Sequence, residues 1–153
     1  MSSQPPNTAL QADLLDLLPL GVCIIDRQLN VCAWNATLAA WTGISRQSAL
    51  GTNLAERFPR LATWCFRDRL AQVFSHGTPV IFSAAFHRYF IPVQSGQGGC
   101  GGHMIQQTIV RPLDETAERA VVMIQDVTAQ YLQMEELRGQ RVCAENVVLQ
   151  AQT

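Results

Sequence analysis

The stretch Leu14–Gly43, LLDLLPLGVCIIDRQLNVCAWNATLAAWTG, decides the fold class of this chain. Two short apolar runs, Gly21–Ile25 and Leu29–Trp34, read as strands, and the polar DRQ turn between them is typical of a hairpin. A helix should follow at once, because Asn35 is a favoured N-cap residue and Gly43 a favoured C-cap residue. The stretch therefore predicts a β-hairpin that runs directly into a short capped helix.

The composition indicates one domain with one core. The chain has 153 residues, of which 48% are hydrophobic and 15% charged, and its net charge is -1. No basic field would attract nucleic acid, and no apolar run reaches the ~20 residues of a membrane span. The N-terminus lacks a signal-peptide pattern, so we expect a cytoplasmic chain without a membrane span.

The order of elements beyond the hairpin follows from periodicity and breakers. Residues 1–8 read as a polar tail and residues 9–19 as an amphipathic helix ended by Pro19. After the capped helix we expect two short helical pieces, then a longer helix, three strands and a terminal helix. Their predicted bounds are Ser45–Leu50, Asn53–Phe58, Leu61–His76, Val80–Val93, His103–Leu113, Arg119–Asp126 and Thr128–Thr153. A glycine-rich loop, Gln94–Gly102, should separate the first two of these strands.

The terminal helix carries a weak heptad pattern. Met134 and Val148 fall at one seam position and Leu137 and Ala144 at the other, whereas Arg141 interrupts the seam. We expect a marginal coiled coil, completed by a partner.

The five cysteines are scattered and form no CxxC pair. This pattern argues against a disulfide framework and against a metal site. Cys23 and Cys32 lie in strand patterns, and we expect both to be buried as small hydrophobic residues.

Polar residues inside apolar strands are candidates for a binding site. His87 and Arg88 interrupt an apolar strand, so alternation should turn one of them inward and the other to solvent. The same holds for Gln106 and Gln107, and a buried glutamine would need a ligand, a water or His87 as its partner. We expect His103, after the glycines, to be exposed.

The sequence carries no catalytic signature such as GxSxG or HExxH. We therefore predict that the chain is not an enzyme. An enzymatic alternative would need an open cleft with an ionisable residue at its base, for which His87 is the candidate.

Four motifs together resemble a PAS domain. They are GVCIID, WNATLAAWTGIS, ALGTNLAERFP and VVMIQDVT, and the resemblance covers about residues 14–138. It implies an α+β fold, with a five-stranded antiparallel sheet, helices on one face and a ligand pocket between them. The domain would span residues 20–127, flanked by the N-terminal helix and a coiled-coil-like exit helix. FHRYFIPV and MIQQTIVRPL are similar to a bacterial subgroup found ahead of histidine-kinase or diguanylate-cyclase domains.

The resemblance also implies functional residues. Asn35, Asp126 and Thr128 match the family's capping and signal-transfer positions. Candidate pocket residues are Trp34, Trp41, Cys65, Phe74, His87, Arg88, Gln106 and Ile124. A flavin-thiol light sensor is not expected, because an NCRFLQ-like motif is absent. The cofactor stays unknown, and the expectation favours no cofactor at all. Haem, with Cys65 as a thiolate ligand, and flavin, against Trp34 or Trp41, stay open.

The expected function is a sensory module of bacterial signal transduction. A small ligand or cofactor would alter the inner face of the sheet, and the exit helix of a homodimer would pass the change to a kinase or cyclase domain. The dimer would form through the N-terminal and C-terminal helices. The alternative is a ligand-free dimerisation or protein-interaction module.

Overall fold

The structure is a computed structural model that describes residues 13–94 and 102–151. The predicted tail at 1–8, the first residues of the N-terminal helix, most of the glycine-rich loop with Cys100, and residues 152–153 lie outside the described part. Residues 13–17 are helical and are called α1.

Within the described residues, five strands form one antiparallel sheet in the order β2-β1-β5-β4-β3. Their bounds are β1 Gly21–Asp26, β2 Val31–Trp34, β3 Val80–Phe82, β4 Gln106–Pro112 and β5 Arg119–Asp126. The first and last strands in sequence pair at the centre, with Cys23 opposite Val122 and Ile25 opposite Ala120. The predicted α+β architecture and its five-stranded sheet are confirmed.

The helices follow the predicted order, apart from one additional short helix between β3 and β4. Their bounds are α2 Ala36–Thr42, α3 Arg46–Ala49, α4 Leu54–Arg57, α5 Trp64–His76, α6 Ala84–His87 and α7 Thr128–Ala151, with a 3₁₀ turn at Pro59–Ala62. None of those described is both long and apolar enough to cross a membrane.

Asn35 joins the hairpin to the helices on either side of it. Its Oδ1 accepts hydrogen bonds from the amides of Leu38 (3.0 Å) and Val22 (3.1 Å), so it caps α2 and holds β1. Its Nδ2 donates to the carbonyls of Leu15 (2.9 Å) and Leu20 (2.8 Å). Asn35 is 1% exposed; its bonds to the Leu38 and Val22 amides are buried, and those to the two carbonyls are partly buried.

The prediction of one long strand over Val80–Val93 is wrong. β3 ends at Phe82, and the chain turns into the short helix α6, whose Phe86 side chain is 87% exposed. The alternating apolar pattern predicts a strand. Hydrogen bonds between later residues of the segment and partners distant in the sequence favour the helical turn instead. His87 and Arg88 therefore do not occupy opposite faces of a strand.

Smaller differences have local causes. β2 begins at Val31 rather than Leu29, because Leu29 adopts a left-handed backbone with φ 69°. The helix predicted over Leu61–His76 is divided at Thr63, whose backbone is extended. The strand predicted over His103–Leu113 begins at Gln106. Cys32 is exposed, contrary to prediction, because it lies on the outward side of edge strand β2, whereas Cys23 is buried as predicted.

The core lies between the inner face of the sheet and the helices. Val80, Val110, Val122 and Cys23 form one row across β3, β4, β5 and β1, and the buried face of α5 packs over the sheet. The exit helix α7 instead leaves the core, with Met134 and Leu137 more than half exposed.

Candidate functional site

An aromatic cluster, Phe66, Phe82, His87 and Phe90, occupies the space between α5, α6 and the sheet. Phe66 and Phe82 are stacked with ring centroids 5.2 Å apart. The His87 ring meets both edge-on, at 5.3 Å from Phe66 and 5.2 Å from Phe82, and Phe90 lies 5.3 Å from Phe82. We call these four residues the aromatic centre.

Two buried polar atoms at the aromatic centre have no hydrogen-bond partner among the described residues. They are His87 Nδ1 and Thr108 Oγ1. Thr108 pairs directly with Phe82 in the sheet and is 0% exposed. A buried polar atom without a partner costs about 1–3 kcal/mol, so these two atoms mark a place where a ligand or a water would gain hydrogen bonds.

Two arginines flank the same centre. The Arg60 Cζ lies 4.0 Å from the Tyr89 ring centroid and 5.1 Å from that of Phe66, and the guanidinium donates a hydrogen bond to the His87 carbonyl. The Arg69 Cζ lies 5.5 Å from the Phe82 ring centroid. Both arginines therefore place positive charge at the edge of the aromatic cluster.

The surroundings of His87 lower the pKa of its imidazole and so favour the neutral form. Burial is the main cause that lowers the pKa of its imidazole, the positive charge of Arg69 comes next, and Arg60 adds to the effect. The Ser83 carbonyl acts in the opposite direction and does not overcome the other causes. A neutral imidazole keeps one ring nitrogen free to accept a hydrogen bond, which a protonated ring would not.

Gln106 fixes the chain segment that follows the centre. Its Oε1 accepts hydrogen bonds from the amides of Phe90 (2.9 Å) and Ile91 (3.1 Å), and its Nε2 donates to the Ile91 carbonyl (2.7 Å). Gln106 is buried and Gln107 exposed, as strand alternation predicted for one of the two. The partners, however, are backbone groups and not His87.

The start of β4 is bonded to the start of α7. The Val127 amide donates to the Ile105 carbonyl (2.9 Å), and the Ile105 amide donates to Thr128 Oγ1 (2.9 Å). Asp126 Oδ1 in turn accepts from the Thr128 amide (3.0 Å) and hydroxyl (2.7 Å). The Asp126 carboxylate thus caps the exit helix, as the sequence predicted, and Thr128 is the buried connection to β4.

A second connection reaches α7 from the segment beside His87. The Arg88 guanidinium donates to the Tyr131 hydroxyl and lies over its ring, with Cζ 5.0 Å from the centroid. Arg88 has φ 66°, a backbone conformation that is strained for a residue with a Cβ. The preceding residue, His87, belongs to the aromatic centre, so one peptide bond separates the centre from the Arg88–Tyr131 contact.

The structure brings together only some of the predicted pocket residues. His87, Gln106, Phe74 and Ile124 lie in or against the interior near the sheet, and Trp34 is buried with its indole nitrogen bonded to the Ile44 carbonyl (3.0 Å). Trp41 is partly buried against the core. Cys65 is exposed, so its prediction as a pocket residue is wrong: it lies one position from buried Phe66, about 100° round the helix.

Several residues of the centre were not identified from the sequence as site candidates. Phe66 and Phe82 were expected on apolar faces, but nothing in the pattern distinguished them from other core residues. Nothing in the sequence distinguishes Arg60 and Arg69 from the other arginines. Thr108 lies two residues after Gln106 on the same face of β4. This spacing could have identified Thr108 as a second polar residue that faces inward. His103, expected to be exposed, is half-buried and stacks on Tyr89 at 4.8 Å.

The family is established by comparison with known proteins. A family model described as PAS fold matches residues 15–132, which is most of the chain. The protein therefore belongs to the PAS-fold family, and the resemblance inferred from its motifs is confirmed. The comparison with curated proteins gives no match.

Solved structures of bacterial sensor domains share the fold. The photoactive yellow protein domain of the sensor histidine kinase Ppr from Rhodospirillum centenum is 18% identical, with a TM-score of 0.56 over 74% of this chain and 91% of that one. A sensory box sensor histidine kinase from Vibrio cholerae is 21% identical, with a TM-score of 0.57 over 80% and 92%. The PAS domain of the quorum-sensing receptor RpfR from Cronobacter turicensis, in complex with BDSF, is 17% identical, with a TM-score of 0.54 over 72% and 96%.

The two cofactors considered from the sequence fit these residues poorly. A haem would need an axial ligand that faces the interior, and Cys65, the ligand considered from the sequence, is exposed. A flavin would need an open aromatic slot, whereas Trp34 is 2% exposed and already packed in the core. No step of the function is therefore assigned to either group.

Proposed function

We propose that this PAS domain is a sensory module of signal transduction in which the aromatic centre is the sensing site and α7 the output. The observation that carries the proposal is the short path between them. His87 belongs to the centre, Arg88 follows it directly, and the Arg88 side chain holds Tyr131 on α7. A change at the centre reaches the exit helix without crossing the whole core.

Two sets of bonds would respond to such a change. Displacement of α6 would move Arg88 and loosen its contact with Tyr131. Displacement of the 90–91 segment would act through Gln106 on the neighbouring Ile105, which is bonded to Val127 and Thr128. A ligand shifts the helix between two arrangements only to the extent that it binds one of them better, so the sensing step is a difference in affinity.

The output would pass through a dimer to an effector domain. Leu14, Leu17 and Leu18 of the N-terminal segment and Met134 and Leu137 of α7 are all at least 42% exposed. Apolar side chains on two helices that leave the core suit a helical dimer interface, in which α7 pairs with its copy. The histidine kinases among the structural relatives favour an effector of that type, with a diguanylate cyclase as the other candidate.

A ligand-free interaction module is the second candidate, and one observation favours it. The aromatic centre is filled by its own side chains, so the domain can fold without an occupant. The two candidates differ in what purification yields. A cofactor band in the absorption spectrum, or a bound mass in native mass spectrometry, would support sensing. A blank spectrum and a dimer of bare chains would support interaction alone.

The relay is tested by hydrogen exchange in the full chain. Phe82→Leu disturbs the centre, and Ile25→Val is the matched core control on β1. We expect Phe82→Leu to change the protection of the Val127 and Tyr131 amides by more than its loss of global stability explains, whereas Ile25→Val should not. Equal changes in the two variants would contradict the relay.

A further inference from the structure

The edge of the aromatic centre carries positive charge that no acidic side chain of residues 13–94 or 102–151 neutralises through an ion pair. In the parts of the chain that the structure covers, the ion pairs are Arg27–Glu118 and Arg46–Asp16. Arg60 and Arg69 belong to neither pair. Asp68, next to Arg69 in sequence, lies beside Trp64, Arg67 and Ala71 on a different part of the surface of α5.

Arg60 is positioned although it lacks an ion-pair partner. Its guanidinium donates to the His87 carbonyl and lies over two aromatic rings, and its side chain is half-buried. A surface arginine with no function samples many rotamers, whereas this one is held at the edge of the cluster by its hydrogen bond and its two ring contacts. The planar guanidinium presents paired donors of the geometry that a carboxylate accepts.

The second observation lies inside. Thr108 is fully buried, and its Oγ1 has no partner on the described residues, nor has the buried Nδ1 of His87. Both residues contact or pair with Phe82, Thr108 across the sheet and His87 edge-to-face. The Phe82 ring therefore lies beside both residues, within the cluster that Arg60 and Arg69 flank.

We propose that the centre binds an organic carboxylate with an apolar body. The carboxylate is held by Arg60 and Arg69, and the body packs against the Phe66 and Phe82 rings. Thr108 Oγ1 and His87 Nδ1 provide partners for a polar substituent on that body. The inference rests on the proposed role of the centre as the sensing site, and it adds the chemical class of the ligand.

Titration calorimetry on the full chain, at constant ionic strength, tests the class. Phenylacetate and octanoate combine a carboxylate with an apolar body, acetate and inorganic phosphate supply the anion alone, and phenylacetamide and octan-1-ol supply the body alone. We expect binding in the first pair to exceed that in the other two pairs by roughly tenfold or more, since loss of a charge-assisted contact is worth at least that factor. Equal binding of acetate or phosphate would mean an adventitious ion only and would overturn the proposal, as would equal binding of the neutral analogues or no binding at all.

Variants locate the site. Arg60→Gln and Arg69→Gln should each weaken phenylacetate binding roughly tenfold, whereas Arg111→Gln, at an exposed position of β4, should leave it unchanged. A melting curve for each variant separates lost binding from lost folding. If Arg60→Gln and Arg69→Gln bind as the parent does, the site assignment is wrong.

Two experimental outcomes distinguish a failure of this inference from a failure of the proposed function. An intact relay in the Phe82→Leu exchange experiment, together with absent carboxylate binding, would overturn the ligand class alone. Carboxylate binding that leaves the protection of Val127 and Tyr131 unchanged would instead count against the sensing role.

Discussion

Replacement of Gln106 by leucine should be among the most destabilising single changes on β4. Leucine has a similar volume, but it cannot supply the acceptor used by the Phe90 and Ile91 amides or the donor used by the Ile91 carbonyl. Gln106 is 1% exposed, so water cannot replace these bonds without opening the core. Three backbone groups would be left without partners.

The size of the effect follows from those three groups. Each buried donor or acceptor that loses its partner costs about 1–3 kcal/mol, so the lower end of the range gives about 3 kcal/mol in all. That is a large share of the 5–15 kcal/mol that separates a typical folded domain from its unfolded state. For a chain of this length it corresponds to a melting point roughly 6–12 °C lower.

Urea unfolding followed by tryptophan fluorescence measures the change, and Gln107→Leu is the matched control. Gln107 is the next residue on the same strand, but its side chain is exposed, so the control should stay within about 0.5 kcal/mol of the parent. If Gln106→Leu were as stable as Gln107→Leu, the three hydrogen bonds would not hold the 90–91 segment, and the account of the site would have to be abandoned.

Two further predictions concern the hairpin and the histidine. Asn35→Ala removes two buried and two partly buried hydrogen bonds and should lower the free energy of unfolding by about 2–4 kcal/mol in urea titrations, and a loss below about 0.5 kcal/mol would show that water takes over those bonds. The pKa of His87 lies below its ordinary value of 6.5, so the unfolded chain binds the proton first on acidification. Stability should therefore fall as the pH drops below about 7 and level off under the folded-state pKa, and His87→Gln should flatten this part of a pH series of urea midpoints.

The hairpin and its capped helix were predictable because their signals are local. Asn35 and Gly43 fix the ends of α2 within a few residues of sequence, and the observed helix, Ala36–Thr42, has the predicted bounds. The same is true of β5, where a polar turn precedes Arg119 and a helix cap follows Asp126. Local signals place elements well when no distant contact competes with them.

The site was less predictable because distant contacts create it. Nothing within Val80–Val93 indicates that the chain leaves the sheet after Phe82, since a strand and a helical turn both accommodate the sequence SAAFH. Gln106 was correctly expected to face inward and to need partners, but sequence separation hid those partners, 15 and 16 residues away. The approach of Arg60 and Arg69 to the aromatic centre is likewise visible only once the chain is folded.

The site forms at the point where the chain leaves the sheet. Pairing of β3 with β4 stops at Phe82 and Thr108, so the edge of β4 beyond that point has no continuous strand beside it. The chain returns at Arg88, whose carbonyl accepts from the Gln106 amide at 2.8 Å, and the Gln106 side chain then bonds the returning segment.

The intervening turn delivers His87 to the aromatic centre and leaves Arg88 in its left-handed conformation facing Tyr131. A continuous strand here would pair with the edge of β4 through ordinary backbone hydrogen bonds. It would bring neither His87 to the aromatic centre nor Arg88 to Tyr131. The interruption therefore accounts for both the aromatic centre and its connection to the exit helix. A sequence change that restored the strand, such as valine at both Ala84 and Ala85, should abolish the Arg88–Tyr131 contact even if it raised stability.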